Sequence, residues 1–251
     1  MTDSNKSKNM GDSNKAGDMN DSGKIKNADK EDTRNLIDEY KGLKNEEVFD
    51  RLAKKRNSLE VAIENLEHDF NIGTVVRNAN NFNVSRVSII GRKKYNRRGA
   101  MCTDKYLEIR HYQTIFEFLK EQSGRELVAI ENNVPAKVLT QVYGDDNGVK
   151  NDRKGQLQSR SKIKSLMDKK FSEKTTLVFG SENEGISKEL LQECDDIREI
   201  PNYGSTRSVN VGVASGIAMY EWVRQRVKSE IAFEGDFTAD DREVLDRLRQ
   251  R

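Results

Sequence analysis

Three segments of this chain combine residue types that can position a reactive ligand: NIGTVVR (71–77), LVFGSENEGIS (177–187) and IPNYGSTRSVN (200–210). They share one design, in which an apolar strand ends in glycine or polar residues and a helix follows. In open α/β sheets ligands bind beyond the carboxyl ends of the strands, so turns of this kind converge on one site. Together they offer a guanidinium (Arg77), a carboxylate (Glu182), two amides (Asn71, Asn210) and a hydroxyl (Ser208). Gly180 and Gly185 would let backbone come close to a flat ligand. GSENEGIS has the glycine spacing of a phosphate-binding loop, but Ile186 stands where that motif requires Lys, and Glu182 and Glu184 would repel phosphate. Nucleoside-triphosphate chemistry is disfavoured on those grounds. Carboxylates in this loop suit a cationic or hydroxyl-bearing ligand.

The last of the three segments lies within the chain's last long apolar segment, 198–223. Ile200 and Pro201 read as extended, Asn202 to Arg207 as a polar turn, and the remainder as a helix crowded with Gly212, Ala214, Ser215, Gly216 and Ala218. Glycine inside a helix costs about 1 kcal/mol relative to alanine, a cost usually met where another backbone approaches closely. Asn210 falls one turn into that expected helix, between Val209 and Val211. Either it satisfies a backbone group in a packed core or it faces an open site. Upstream, Asn71 is well placed as an N-cap for a helix to Phe82, with Arg77 between two apolar stripes. Residues 59–66 and 84–90 flank that helix as strands, the strand–helix–strand unit of a parallel sheet.

Of 251 residues, 34% are hydrophobic and 34% charged, and the net charge is +2. With so little global field, affinity for nucleic acid must come from a local patch. Residues 1–33 are low-complexity and polar and are expected to be disordered. That leaves one core domain at 57–228, a helical extension at 34–56 and a charged helical tail at 229–251. Cys102 and Cys194 are far apart and, like His68 and His111, lack neighbours at metal-ligand spacing. No disulfide and no metal site are expected. Without an apolar run long enough to span a bilayer or a hydrophobic leader, the expectation is a soluble, cytoplasmic protein.

Residues 91–111 hold seven Lys or Arg against two acids, with Tyr95 and Tyr106 interleaved. Such a charge run is ordinarily a solvated loop. The clustering of RKKYNRR instead favours RNA, with Arg92, Lys93, Lys94, Arg97 and Arg98 on phosphates and aromatic faces on unpaired bases. Further strands are expected at 126–131 and 175–180, a helix at about 114–123, a polar turn at Asn132 and Asn133, a polar surface insertion at 144–172 and a helix at 236–251.

The trio NIGTVVRNANNF, LVFGSENEGIS and IPNYGSTRSVNVGVA resembles the three motifs of the SpoU (TrmH-type) RNA 2′-O-ribose methyltransferases of the SPOUT class, over roughly residues 58–226. The resemblance implies an α/β parallel-sheet domain with a C-terminal deep trefoil knot, S-adenosylmethionine as cofactor, and a homodimer acting on tRNA or rRNA. It assigns catalytic roles to Asn71, Arg77, Glu182, Ser208 and Asn210. It places Asn132, Gly180, Ile200, Pro201, Ser208 and Val209 at the cofactor. Asn83 and Val209 depart from the commoner Gly and Leu, and asparagine tolerates the left-handed backbone that glycine would supply. A guanidinium holds its proton too tightly to be a ready base, so Arg77 is expected to clamp phosphate and stabilise a developing alkoxide. Asn71, Glu182 and Asn210 would then orient Arg77 and the cofactor. The alternative is a catalytically inactive RNA-binding protein on the same scaffold.

Overall fold

The computed structural model describes residues 34–66, 71–134, 138–139 and 163–226. The expected tail at 1–33, most of the 144–172 insertion and the helix at 236–251 lie outside the described residues. The chain divides into two compact units at Lys41 and Gly42. In the first, the described residues hold one 3-10 turn, Asp38–Tyr40.

The second unit opens with α1 (Asn45–Ala53), followed by seven strands interspersed with helices among the described residues. It runs β1 (Glu60–Asn65), α2 (Ile72–Asn81), β2 (Arg86–Gly91), β3 (Ile109–Tyr112), α3 (Ile115–Leu119) and β4 (Glu126–Ile130). After it come β5 (Lys164–Ser165), β6 (Thr175–Phe179), α4 (Lys188–Gln192), β7 (Asp196–Glu199) and α5 (Val211–Arg224). The seven strands form one sheet in the order β3-β2-β1-β6-β4-β7-β5, and every pairing is parallel. Chain order reverses direction between the adjacent central strands β1 and β6, which is where such sheets open a crevice.

Period-two patterning sorts the strand residues onto two cores. Val61, Ile63, Val87, Ile89, Leu177 and Phe179 pack beneath α2 and α5 on one face. Ala62, Ile90, Ala129, Val178 and Ile197 meet Phe118 of α3 and Leu190 and Leu191 of α4 on the other. Because both faces are covered, all six residues of β1 are buried, including its two acids. Glu60 accepts from Arg86 Nη2 at 2.8 Å and Nε at 3.1 Å. Glu64 accepts from the backbone and hydroxyl of Ser187 at 2.7 and 2.8 Å. Burial pushes the Glu64 carboxyl up, and the two Ser187 donors oppose that shift.

Two expectations change here. The end of the 144–172 stretch is not a polar surface loop, since it supplies edge strand β5 and buries Leu166 and Phe171. The helix expected to start before Asn210 begins only at Val211. Asn83 adopts φ 48°, the left-handed conformation its position requires.

Glycines let α2 and α5 approach closely. A Cβ on Gly212 would stand 2.9 Å from Thr74 Cγ2, and one on Gly216 would stand 3.2 Å from Asn78 Nδ2. Asn78 Nδ2 donates to Gly212 O at 2.7 Å and Ser215 Oγ at 3.0 Å, so a polar side chain also fastens the contact.

Candidate active site

The carboxyl ends of β1, β6 and β7 lead into the three polar segments, and Glu182 joins them. Its Oε2 accepts from Asn71 Nδ2 at 2.9 Å, from Asn210 Nδ2 at 2.9 Å and from the Val211 amide at 3.3 Å. Asn210 Nδ2 also reaches Asn71 Oδ1 at 2.9 Å, closing a triangle of side chains. The remaining Asn210 atom, Oδ1, accepts from the amides of Gly212 at 2.9 Å and Val213 at 3.3 Å. Asn210 is therefore the N-cap of α5 and is exposed, rather than buried one turn inside it. Asn71 precedes α2 with helical dihedrals and makes no side-chain cap bond; its Oδ1, the atom a cap would use, accepts from Asn210 instead. The positive end of α5, through the Val211 amide, favours the Glu182 carboxylate.

Gly180 makes the turn after β6 possible. Ser181 and Gly185 exchange backbone hydrogen bonds at 3.0 Å each, folding the turn back over Gly180. A Cβ on Gly180 would fall 1.9 Å from the Gly185 carbonyl carbon. Beside this turn lies a cavity of about 130 Å³, bounded by residues 130–133, 179–185, Ser208, Val209, Val211 and Ala214. Of the residues expected at the cofactor, Asn132, Gly180, Ser208 and Val209 line it, whereas Ile200 and Pro201 do not. Ile200 sits behind the wall, held by Asn132, which donates to its carbonyl at 2.8 Å and accepts from its amide at 3.2 Å.

Arg77 stands apart from the triangle. It is exposed, and no hydrogen bond or ion pair joins it to the described residues; the expected orientation by Asn71, Glu182 and Asn210 is not made through hydrogen bonds.

The basic segment is fixed to the same helix. Asn65 Nδ2 donates to the carbonyls of Arg92 at 2.5 Å and Lys94 at 3.0 Å, and Gly99 packs on Gly73, where a Cβ would meet Asn96 O at 2.7 Å. Arg92, Lys93, Lys94, Arg97 and Arg98 are all exposed. Arg97 is engaged in an ion pair with Asp104. The stacking expected of Tyr106 is overturned by its burial at 4% exposure, with its hydroxyl on Asn45 Oδ1 at 3.3 Å. Tyr95 is half-buried against the core, and burial pushes its phenol up. The exposed aromatic on a site-forming loop is Tyr203, which the motif reading passed over.

The model of the SpoU rRNA Methylase family matches residues 58–220. The chain belongs to that family. Over 62 residues it is 42% identical to the 23S rRNA (guanosine-2'-O-)-methyltransferase RlmB of Escherichia coli K12, a stretch covering 25% of this chain and 26% of the relative. The match thus spans about a quarter of the length of such curated relatives. Among solved structures, the A. aeolicus TrmH/SpoU tRNA modifying enzyme is similar with a TM-score of 0.56 at 23% identity, covering 81% of this chain and 95% of that one. The SpoU methyltransferase AviRb from Streptomyces viridochromogenes, in complex with AdoMet, gives 0.52 at 20%, covering 69% and 60%. These likenesses establish a SpoU-type fold.

Sequence reasoning passed over Glu131, which lies on the wall of this cavity. The strand expected at 126–131 absorbed it, whereas β4 ends at Ile130 and leaves Glu131 on the cavity wall. A polar residue after an apolar run was the available signal, the same one that marked the other three turns.

Removing the cap with Asn210→Ala should cost about 0.5–2 kcal/mol, read by chemical denaturation. Asn210→Asp keeps the capping oxygen but sets a second carboxylate against Glu182. Its deficit relative to wild type should therefore exceed that of a lost link at pH 7 and shrink as pH falls and the pair takes up a shared proton. A deficit independent of pH would show that the Asn210–Glu182 contact carries no weight.

Proposed function

We propose that this chain transfers a methyl group from S-adenosylmethionine to the 2′-hydroxyl of a ribose in tRNA or rRNA. The observation that carries this reading is the Glu182 triangle, which gathers three motif segments of a SpoU-family domain at one cavity and leaves Arg77 unpaired among the described residues.

The lining suits that cofactor. Gly180 and Gly185 bring backbone groups to the wall, Ile130, Phe179 and Val209 offer apolar surface, and the carboxylates of Glu131 and Glu184 suit a cationic, hydroxyl-bearing ligand. When bound, S-adenosylmethionine supplies a methyl group already activated by its sulfonium. The protein's task is to place the ribose oxygen and stabilise the charge that develops on it. Arg77 fits that role as a fixed cation against the adjoining phosphate and the forming alkoxide, while Ser208 offers a hydroxyl at the cavity edge. Asn132 positions Ile200, and through it the loop that reaches Pro201 and Ser208.

The knot and the dimer belong to the same proposal. A C-terminal segment threaded through the fold needs the close α2–α5 contact that Gly212 and Gly216 permit. Val213, Ile217 and Tyr220 recur at helical spacing on α5 and are 54%, 39% and 58% exposed, an apolar stripe suited to a second copy of the chain. Ile217→Asp should shift the chain from dimer to monomer in light scattering; an unchanged mass would remove α5 from the interface.

Arg77→Ala should abolish methyl transfer to RNA while leaving the dissociation constant for S-adenosylmethionine within a few-fold of wild type. Normal turnover in this variant would sink the role given to Arg77.

The basic platform should act through phosphate. Replacing Arg92, Lys93, Lys94 and Arg98 with Gln should flatten the slope of log affinity against log salt by roughly 0.7 per lost contact to single-stranded RNA. Arg97→Gln alone should change it less than Arg98→Gln, because Asp104 already pairs with Arg97. Equal slopes for wild type and the quadruple variant, by filter binding, would retire the platform as an RNA surface.

A further inference from the structure

We propose that Glu131 recognises the ribose of the cofactor, accepting hydrogen bonds from its two adjacent hydroxyls. The proposal rests on the cavity being the S-adenosylmethionine site and assigns a residue that the three motifs do not contain.

Glu131 is the first residue beyond the carboxyl end of β4, and its backbone amide is held by Arg198 O of β7 at 3.0 Å. Glu131 is one of the residues that line the cavity. Each carboxylate oxygen accepts one backbone donor: Oε1 takes the Asn133 amide at 3.0 Å and Oε2 the Ile186 amide at 3.2 Å. The 181–185 turn is shaped around it. Gly185 has φ 71°, and a Cβ there would lie 2.5 Å from Glu131 Oε2, so glycine leaves the space that the carboxylate fills.

A carboxylate offers about four acceptor positions. Two here are spent on backbone, which fixes the group, and one remains on each oxygen. Two acceptors held side by side match the two adjacent hydroxyls of a ribose, both able to donate at once. The neighbouring polar groups are less suited. Glu182 Oε2 already serves three donors, Asn132 spends its amide on Ile200, and Glu184 is exposed on the turn without such bracing. Acidic residues at strand ends hold ribose hydroxyls in dinucleotide-binding sheets for the same acceptor-only reason.

The test uses the full chain and two ligands, S-adenosylhomocysteine and its 2′,3′-dideoxyribose analogue, with dissociation constants from isothermal titration. Wild type should bind the dideoxy analogue at least about tenfold more weakly, the loss expected when hydrogen bonds to a charged acceptor are removed. Glu131→Ala should bind both ligands weakly and within twofold of one another. Glu131→Gln, which keeps the volume but replaces one acceptor with a donor, should fall between. If Glu131→Ala weakens both ligands by the same factor, or if wild type does not discriminate, Glu131 only shapes the turn and the proposal fails. Wild type that binds neither ligand would overturn the cofactor reading itself. The two-ligand comparison on wild type needs no variant to fold.

Discussion

One oxygen atom, Oε2 of Glu182, receives hydrogen bonds from segments that lie 111 and 28 residues away in the chain. Each donor comes from a different kind of structure: Asn71 leads α2, Asn210 caps α5, and the Val211 amide opens the α5 backbone ladder. A carboxylate is the one common side chain that can accept from all three at once and also match the positive end of a helix. Substitution by an amide would replace acceptor capacity with donors that have no partner there. The surrounding fold serves this junction. The parallel sheet brings the strand ends level, the Gly180–Gly185 turn folds Glu182 toward the helices, and the glycines of α5 let it lie close enough to α2 for Asn210 to reach Asn71.

The sheet was legible where apolar residues follow one another and obscure where buried charge replaces them. β4 and β6 carry continuous apolar runs, and β2 one broken only by Ser88, as doubly covered parallel strands do. β7, with sequence DIRE, gives no such signal, although Asp196 is 1% and Arg198 0% exposed. These two charges are tolerated because Arg198 Nε donates to Asp196 Oδ2 at 3.2 Å, its Nη1 reaches Lys169 O at 2.8 Å, and its guanidinium lies over Phe171 at 3.9 Å. Phe171 and Leu166 come from the stretch whose average composition marked it as surface. Nothing local to DIRE reveals these distant partners. Edge strand β3, with two basic side chains among four residues, likewise looks in sequence like a continuation of the basic loop.

At the site, residue types were more legible than their local conformations. Asn71, Glu182 and Asn210 are brought together by topology, and the shared strand-to-turn-to-helix design of their segments points to one place. Asn210 was misplaced because Val209 and Val211 extend the apolar pattern backwards, while the chain spends Asn210 on the cap instead. A capping asparagine followed by an apolar run looks the same in sequence as one inside it, and only the direction of the backbone separates them. Tyr106 misled for a related reason. It sits among lysines and arginines, yet its ring is buried and its hydroxyl donates to Asn45 at the start of α1.

The same junction explains why Arg77 remains available on the proposed reading. An exposed guanidinium within reach of an uncommitted carboxylate would form an ion pair, and a phosphate would then have to displace it. Here the site's acidic motif residue already accepts from two amide side chains and a helix terminus. The amides therefore act as a sink for the carboxylate. They hold Glu182 where it stiffens the framework and leave the positive charge of α2 facing solvent, beside a basic segment fastened to the same helix at Gly73. Replacing either amide with a lysine would preserve a partner for Glu182 but add a competing cation. Replacing one with an apolar side chain would free acceptor capacity on the carboxylate beside α2. On this argument the two asparagines are needed as neutral donors, which is a stricter requirement than polarity alone.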